Sequence, residues 1–241
     1  MLSQDDAART VKERRRTRRF FNRVALAFHV IDRRLGPEYR AALDVLSFPK
    51  DDTVLDIGTG TGTLAAAFAE RGHRVTGIDF AERLLKKAQR RVPSGVFRSM
   101  DFVELESMKA DSFDIVCLAY VLHGLSPGLR RLTLHHAVRL SRGGVLIFDY
   151  SGLGPWYVRL IEWVEGPHYP AFVGRAMDEH LKPHGLVIEQ RGETSSVGGW
   201  WWASRLNSIG VQQKAQREDY HKSDPDGFLK AHRPGGNQNP G

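Results

Sequence analysis

Short apolar runs alternate with longer runs of helical period through the first 150 residues. Val54, Leu55 and Ile57 predict a buried strand. Glycines come next at 58, 60 and 62, and the run Leu64-Ala65-Ala66-Ala67-Phe68-Ala69 predicts a helix closing at Arg71-Gly72. Residues 74–79 read as a second strand. Ala81, Leu84, Leu85, Ala88 and Val92 share one helical face, which Pro93 ends. Residues 95–100 predict a third strand, and 111–119 a fourth with a polar start. A helix runs from Pro127 to about Ser141, and a turn at Gly143-Gly144 leads into a fifth strand over residues 145–150. Strand and helix alternating in this way predict a parallel sheet.

The flanks read differently. Over residues 10–35, Phe20, Phe21, Val24, Phe28, Ile31 and Leu35 fall within an arc of roughly 100°, with Asn22, His29 and Arg33 opposite. This predicts an amphipathic helix lying over the domain as a lid, with a membrane-surface helix as the alternative. Gly36-Pro37 predicts a break before a second helix at 38–46. Residues 151–172 are rich in glycine, proline and aromatics and read as an aromatic lid insertion. A helix at 173–182, closed by Pro183-His184-Gly185, precedes strands at 186–190 and 199–205. With no helix between them, those strands are expected to pair antiparallel. Trp200, Trp201 and Trp202 should split between the two sheet faces, in core packing or a homodimer contact. The expected organisation is a basic, amphipathic cap (1–48), an α/β domain (49–206) and a polar, disordered tail (207–241).

The glycine turn decides the ligand class. A dinucleotide fingerprint needs glycine at 58, 60 and 63; here position 63 is Thr63. Asp56, at the strand end, would repel a pyrophosphate but suits an ammonium group. An adenosine carrying an amino acid therefore fits better than one carrying phosphates. Asp79 ends the second strand, where a doubly wound fold places the acceptor of the two ribose hydroxyls. Asp101 can accept from an adenine amino group, and Phe102 can cover the ring.

Composition adds limits. The chain has 241 residues, a net charge of +7 and one cysteine, so an internal disulfide and a cysteine-based zinc site are excluded. Cys117 lies in an apolar run, reads as core, and fits a cytoplasmic location. No apolar stretch approaches the ~20 residues that span a bilayer. The Thr17-Arg18-Arg19-Phe20-Phe21 run faintly resembles a twin-arginine signal, but Arg23, His29, Asp32 and Arg33 interrupt the apolar segment such a signal needs. Lys12, Arg14, Arg15, Arg16, Arg18 and Arg19 form a basic cluster suited to weak contact with anionic lipid or nucleic acid, or to a solvated helix end. His135 and His136 are adjacent on a helix and point ~100° apart, so no metal site is expected.

Five segments together resemble the class I S-adenosylmethionine-dependent methyltransferases. They are Val54–Gly62, Gly77-Ile78-Asp79, Met100-Asp101-Phe102, Ser112–Val116 and Gly143–Asp149, in the family's order and spacing. The resemblance covers roughly residues 50–205. It is nearest to the small-molecule branch that includes the ubiquinone and menaquinone biosynthesis methyltransferases, through Phe20–Ala25, Tyr169–Phe172 and Pro183–Leu186. Phe28-His29 departs from that branch, which carries a Tyr-Asp pair there. The implied fold is a Rossmann-like, doubly wound α/β sheet of seven strands ending in an antiparallel hairpin. The implied cofactor is S-adenosyl-L-methionine, leaving as S-adenosyl-L-homocysteine. Gly58, Thr59, Gly60 and Gly62 would approach its methionine part, and Asp56 its amino group. Asp79 and Phe80 would meet the ribose, Asp101 and Phe102 the adenine, and Ala119 and Tyr120 the sulfonium side.

Methyl transfer from a sulfonium needs an aligned nucleophile, exclusion of water and, for an O–H or N–H acceptor, a proton acceptor. His123 and Tyr120 are the catalytic candidates. Tyr150, Trp156, His168, Tyr169 and Phe172 are expected to line the pocket of a small, lipophilic or aromatic acceptor, with Tyr150 and His168 as further orienters. The competing readings are a nucleic-acid methyltransferase using the basic N-terminus, a cofactor-binding module without turnover, and, by fold analogy alone, a nicotinamide oxidoreductase. Ala119-Tyr120-Val121-Leu122 stands where a base-handling Asn-Pro-Pro-Tyr-like motif would be.

Overall fold

The structure is a computed structural model and describes residues 28–152, 168–194 and 198–205. The basic cluster, the first half of the amphipathic helix, Trp156 and the expected tail lie outside the described residues. In chain order the elements are α1 (Phe28–Leu46), β1 (Thr53–Ile57), α2 (Thr63–Ala69), β2 (Arg74–Asp79), α3 (Glu82–Arg91) and β3 (Val96–Ser99). They continue with β4 (Phe113–Ala119), α4 (Pro127–Leu140), β5 (Ser141–Tyr150), α5 (Tyr169–Val173), α6 (Met177–Leu181), β6 (Leu186–Glu193) and β7 (Gly198–Arg205).

The seven strands form one sheet in the order β3-β2-β1-β4-β5-β7-β6. β1 pairs in parallel with β2 and β4, while β7 runs antiparallel to both β5 and β6. The order reverses between β1 and β4, so a crevice forms beyond their carboxyl ends. Side chains alternate across the sheet. Leu55, Ile57, Leu118, Ile147 and Trp201 join the core on one face. Val54, Cys117, Leu146, Phe148, Trp200 and Trp202 join the core on the other. The tryptophan triplet is thus divided between the faces as expected. Cys117 is a buried free thiol, and burial pushes its pKa up. No helix among the described residues is long and apolar enough to cross a membrane.

Three expectations are corrected. Gly36-Pro37 does not break the helix; α1 passes through Pro37. Leu35, Tyr39, Ala42, Leu43 and Leu46 continue a single stripe against α2 and the sheet, and that burial outweighs the one hydrogen bond proline removes. Gly143-Gly144 is not a turn but lies within β5. A Cβ on Gly144 would sit 2.6 Å from the Ala203 carbonyl oxygen and from the Trp202 ring, and one on Gly143 would sit 2.8 Å from the Asp114 carbonyl oxygen. These glycines serve close strand packing. The helix expected at 173–182 is two short helices, α5 and α6. Gly174 closes the first on the Pro170 carbonyl, and Ala176 is extended. The bend brings Phe172, Met177 and Leu181 into one core.

Candidate functional site

Two clusters meet at the crevice. The first is the β1 turn. Gly58, Gly60 and Gly62 have φ of 74°, 54° and 77°. A Cβ at Gly62 would lie 2.8 Å from the Ala88 Cβ, so glycine there lets α2 start against α3. At Gly60 the nearest heavy atom to a built Cβ is 4.0 Å away, so bare backbone borders open space. The Ile78 carbonyl accepts the N–H groups of Gly58 and Thr59 at 2.8 and 2.9 Å, anchoring the turn to β2.

Asp56 is buried (1% exposed). Its Oδ2 accepts the Thr59 hydroxyl at 2.7 Å, while its Oδ1 has no hydrogen-bond partner. Burial pushes the carboxyl up to about 7, the Thr59 bond opposing and the Asp79 charge adding to the rise. A buried acceptor left without a donor is costly, and a ligand N–H or ammonium is the group that relieves it. Asp79 accepts the N–H of Gly60 at 3.0 Å and that of Ala81 at 2.7 Å. Burial pushes it up to about 6, with the Ala81, Gly60 and Phe80 amides opposing. A carboxylate has about four acceptor positions, so one remains for a hydroxyl. The Phe80 and Phe102 rings meet edge to face at 6.5 Å. Asp101 is half-exposed at the start of a 3₁₀ turn, its N–H donating to Glu104 Oε2 at 2.6 Å. The donor set and the open backbone fit an adenosine bearing an amino-acid group.

The second cluster lies at the ends of β4 and β5. Tyr120 has φ of 54°, a left-handed conformation unusual for tyrosine, and its N–H donates to the Phe148 carbonyl at 2.7 Å. A Cβ on Gly198 would sit 2.6 Å from the Tyr120 hydroxyl, so β7 makes room for that phenol. His123 is buried, its Nδ1 2.7 Å from Asp149 Oδ1. Tyr150 lies 4.8 Å and Tyr169 6.3 Å from the His123 ring, and Phe172 is 6.5 Å away. Tyr120 and Tyr150 meet at 5.3 Å. His168 stands at the N-cap of α5, half-buried, with its carbonyl accepting the Phe172 N–H at 3.1 Å. The clusters touch: a Cβ on Gly58 would lie 2.5 Å from Val121 Cγ2. Ala119, the last residue of β4, is half-buried beside this junction.

Two residues of this cluster carry no role in the sequence reading. Asp149 is fully buried. Its signal is present in the sequence, since it ends the apolar run Val145–Phe148 and a buried carboxylate demands donors. Arg130 is buried too, donating from Nε to the Leu122 carbonyl at 2.9 Å and from Nη2 to the Leu125 carbonyl at 3.0 Å. Its guanidinium carbon lies 4.7 Å above the Phe172 ring. Nothing in its helical spacing marks it. Among the described residues no group of three His, Cys, Asp or Glu is placed to hold a metal ion.

A family model described as a methyltransferase domain matches residues 54–144. The demethylmenaquinone methyltransferase of Beutenbergia cavernae is 33% identical over 118 residues, covering 48% of each chain. The ubiquinone biosynthesis O-methyltransferase of Idiomarina loihiensis is 33% identical over 146 residues, covering 56% of this chain and 57% of that one. The chain therefore spans about half the length of these relatives. Among solved structures, magnesium protoporphyrin IX methyltransferase from Synechocystis PCC 6803 with bound S-adenosylhomocysteine superposes with a TM-score of 0.56. It is 19% identical, and the match covers 73% of this chain and 84% of that one. A methyltransferase from Aquifex aeolicus gives 0.59 at 17% identity, covering 74% and 97%. At such identities the likeness speaks for the fold alone. Residues 54–144 thus match a methyltransferase domain, and with the sheet order and the glycine turn between two buried acids the chain resembles the class I, S-adenosylmethionine-dependent methyltransferases, those of quinone biosynthesis among them.

Proposed function

We propose that this protein transfers a methyl group from S-adenosylmethionine to a small, ring-bearing acceptor. The observation that carries this reading is the contact of the two clusters, in which the Gly58 turn abuts Val121 between Tyr120 and His123. In this reading Asp56 and the backbone at Gly58, Thr59, Gly60 and Gly62 hold the amino-acid end. Asp79 and Phe80 take the ribose, and Asp101 and Phe102 the adenine. Ala119 and Tyr120 border the sulfonium. When bound, the cofactor supplies an electrophilic methyl group on a leaving group already activated by positive charge. The chain's own work is to align an acceptor beside that methyl and keep water out.

An aromatic or quinone-like acceptor is supported by the rings of Tyr120, Tyr150, Tyr169 and Phe172 around His123. It is also supported by the relatives named for demethylmenaquinone and ubiquinone methylation. Those relatives favour a small molecule over nucleic acid, whose proposed contact at Arg14–Arg19 lies outside the described residues. A cytoplasmic location with peripheral membrane contact belongs to the same reading, and the buried free thiol of Cys117 fits the cytoplasmic part of it alone. The test is a transfer assay with S-adenosylmethionine labelled at its methyl group, over quinols, catechols and phenols. Label in at least one ring-bearing product is expected. Cofactor binding with no transfer to any acceptor would favour a binding module instead.

A further inference from the structure

Tyr120 follows β4, yet its side chain ends at β7. Its left-handed backbone, with φ of 54°, is held by the N–H bond to the Phe148 carbonyl of β5 at 2.7 Å. The next residue, Val121, is pressed against Gly58, so the chain has no slack at 120–121. The Tyr120 hydroxyl lies 2.6 Å from where a Gly198 Cβ would be. β5 lies between β4 and β7 in the sheet, so the phenol spans the carboxyl end of β5. The Asp149 carbonyl oxygen and Thr194 Oγ1 each stand 3.0 Å from that same Cβ position. The Thr194 N–H donates to the Gly198 carbonyl at 3.0 Å and closes the mouth of the β6–β7 hairpin. The tip of the phenol is thus stopped by backbone and hairpin, and the ring has no room to withdraw toward β7. On the crevice side it meets the Tyr150 ring edge to face at 5.3 Å, and Tyr150 meets Tyr169 at 5.0 Å. Tyr120 and Tyr150 are both half-buried, so part of each side chain still borders open space.

We propose that Tyr120 sets the size limit of the acceptor, admitting a single ring and stopping a second fused ring at the end of β5, with Gly198 as the positioning residue that seats its phenol. This inference rests on the methyltransferase reading above. An aromatic side chain free to swing repacks around a larger ligand, whereas one held at its backbone and stopped at its tip does not. The fixed ring is therefore a floor, and the depth of the pocket above it is set by the chain rather than by the ligand. Glycine at 198 is part of the device. A Cβ there would drive the hydroxyl back toward the crevice and raise the floor, because the Asp149 carbonyl and Thr194 leave it no other way to move. Removing the ring of Tyr120 lowers the floor and opens space beside Tyr150.

The experiment measures, by calorimetry on protein saturated with S-adenosylhomocysteine, the binding of catechol and of its benzo-fused analogue, the naphthalene diol with adjacent hydroxyls. Wild type should bind the naphthalene diol at least about tenfold more weakly than catechol, although its larger apolar surface favours it elsewhere. In Tyr120→Ala the naphthalene diol should gain at least about tenfold relative to catechol. Tyr120→Leu, which leaves a smaller void, keeps the test standing should the alanine variant not fold, and shifts the ratio in the same direction. Gly198→Ala should weaken catechol by about threefold or more in the wild-type background. In the Tyr120→Phe background, where the clashing hydroxyl is gone, the same substitution should change catechol affinity by less than about twofold. A merely structural glycine would show no such rescue. A ratio of the two probes unchanged in both position-120 variants would overturn the size limit, and so would failure of both probes to bind wild type that binds S-adenosylhomocysteine. An equal effect of Gly198→Ala in both backgrounds would overturn the seat. Absence of S-adenosylhomocysteine binding in the wild type would instead defeat the methyltransferase reading on which the inference rests.

Discussion

The Asp79 carboxylate accepts the backbone N–H of Gly60 at 3.0 Å, which makes the end of β2 and the glycine turn one hydrogen-bonded unit. Asp79→Ala removes this bond, the bond to Ala81 and the acceptor offered to a ribose. S-Adenosylmethionine affinity should fall at least about tenfold, read by calorimetry, and the variant should lose about 2–4 kcal/mol of stability through stranded amides. Asp79→Asn keeps one acceptor oxygen and should lose less of both. Unchanged affinity in the alanine variant would remove Asp79 from the ligand.

In the proposed reading, Asp56 should make ligand binding pH-dependent. Its folded-state pKa of about 7 lies above the ordinary carboxylate value. Between about pH 4 and 7 the folded state binds more protons than the unfolded one, so this group's stabilising contribution is present at low pH and lost as pH rises through 7. Asp79, pushed up to about 6, adds a change of the same sign. An ammonium-bearing ligand selects the ionised carboxylate, so affinity should rise with pH, by up to about tenfold per unit below 7. Calorimetry in buffers of different ionisation enthalpy should show proton release near pH 6, reduced in Asp56→Asn. A flat affinity from pH 5.5 to 8 would contradict this.

Gly62 couples the turn to α3. Its φ is 77° and a Cβ would sit 2.9 Å from the Ala88 Cα as well as 2.8 Å from its Cβ. Gly62→Ala combines left-handed strain with overpacking against backbone and should cost about 2–4 kcal/mol. The measurement is a urea midpoint with unchanged slope. A midpoint equal to wild type would mean that α3 yields freely.

Arg130 carries the turn beneath His123. Arg130→Met strands one buried and one half-buried carbonyl and removes the cation from Phe172, at about 2–3 kcal/mol. Acceptor turnover should fall more than cofactor affinity. Arg130→Lys should not restore it, because an ammonium cannot reproduce the planar fork. Comparable losses of turnover and cofactor binding would place Arg130 in general folding rather than acceptor positioning.

The two acids that the proposed reading gives to the cofactor stand out in the sequence because each sits at a strand end beside the glycine turn. Asp56 precedes its own glycine turn by two residues and Asp79 ends the next strand, and the parallel pairing of β1 with β2 brings those strand ends together. The acceptor half is only partly readable. His123 and Asp149 lie 26 residues apart and meet because β4 and β5 are neighbours. Arg130 reaches Leu122 by side-chain length, which no apolar periodicity encodes. The expected breaks that the fold does not make have one physical origin: local preference yields to tertiary contact. Pro37 and Gly36 do favour a helix end, but the stripe from Leu35 to Leu46 holds the helix through them. Gly143 and Gly144 favour a turn, but Asp114, Trp202 and Ala203 press so close that only glycine fits there in a strand.

The most direct test of the central claim is calorimetric binding of S-adenosylmethionine, S-adenosylhomocysteine and NAD to the purified wild-type protein. Micromolar affinity for both sulfur nucleotides with none for NAD is expected, because Asp56 and the glycine turn favour an ammonium over a pyrophosphate. Preference for NAD, or no binding of either sulfur nucleotide, would contradict the account.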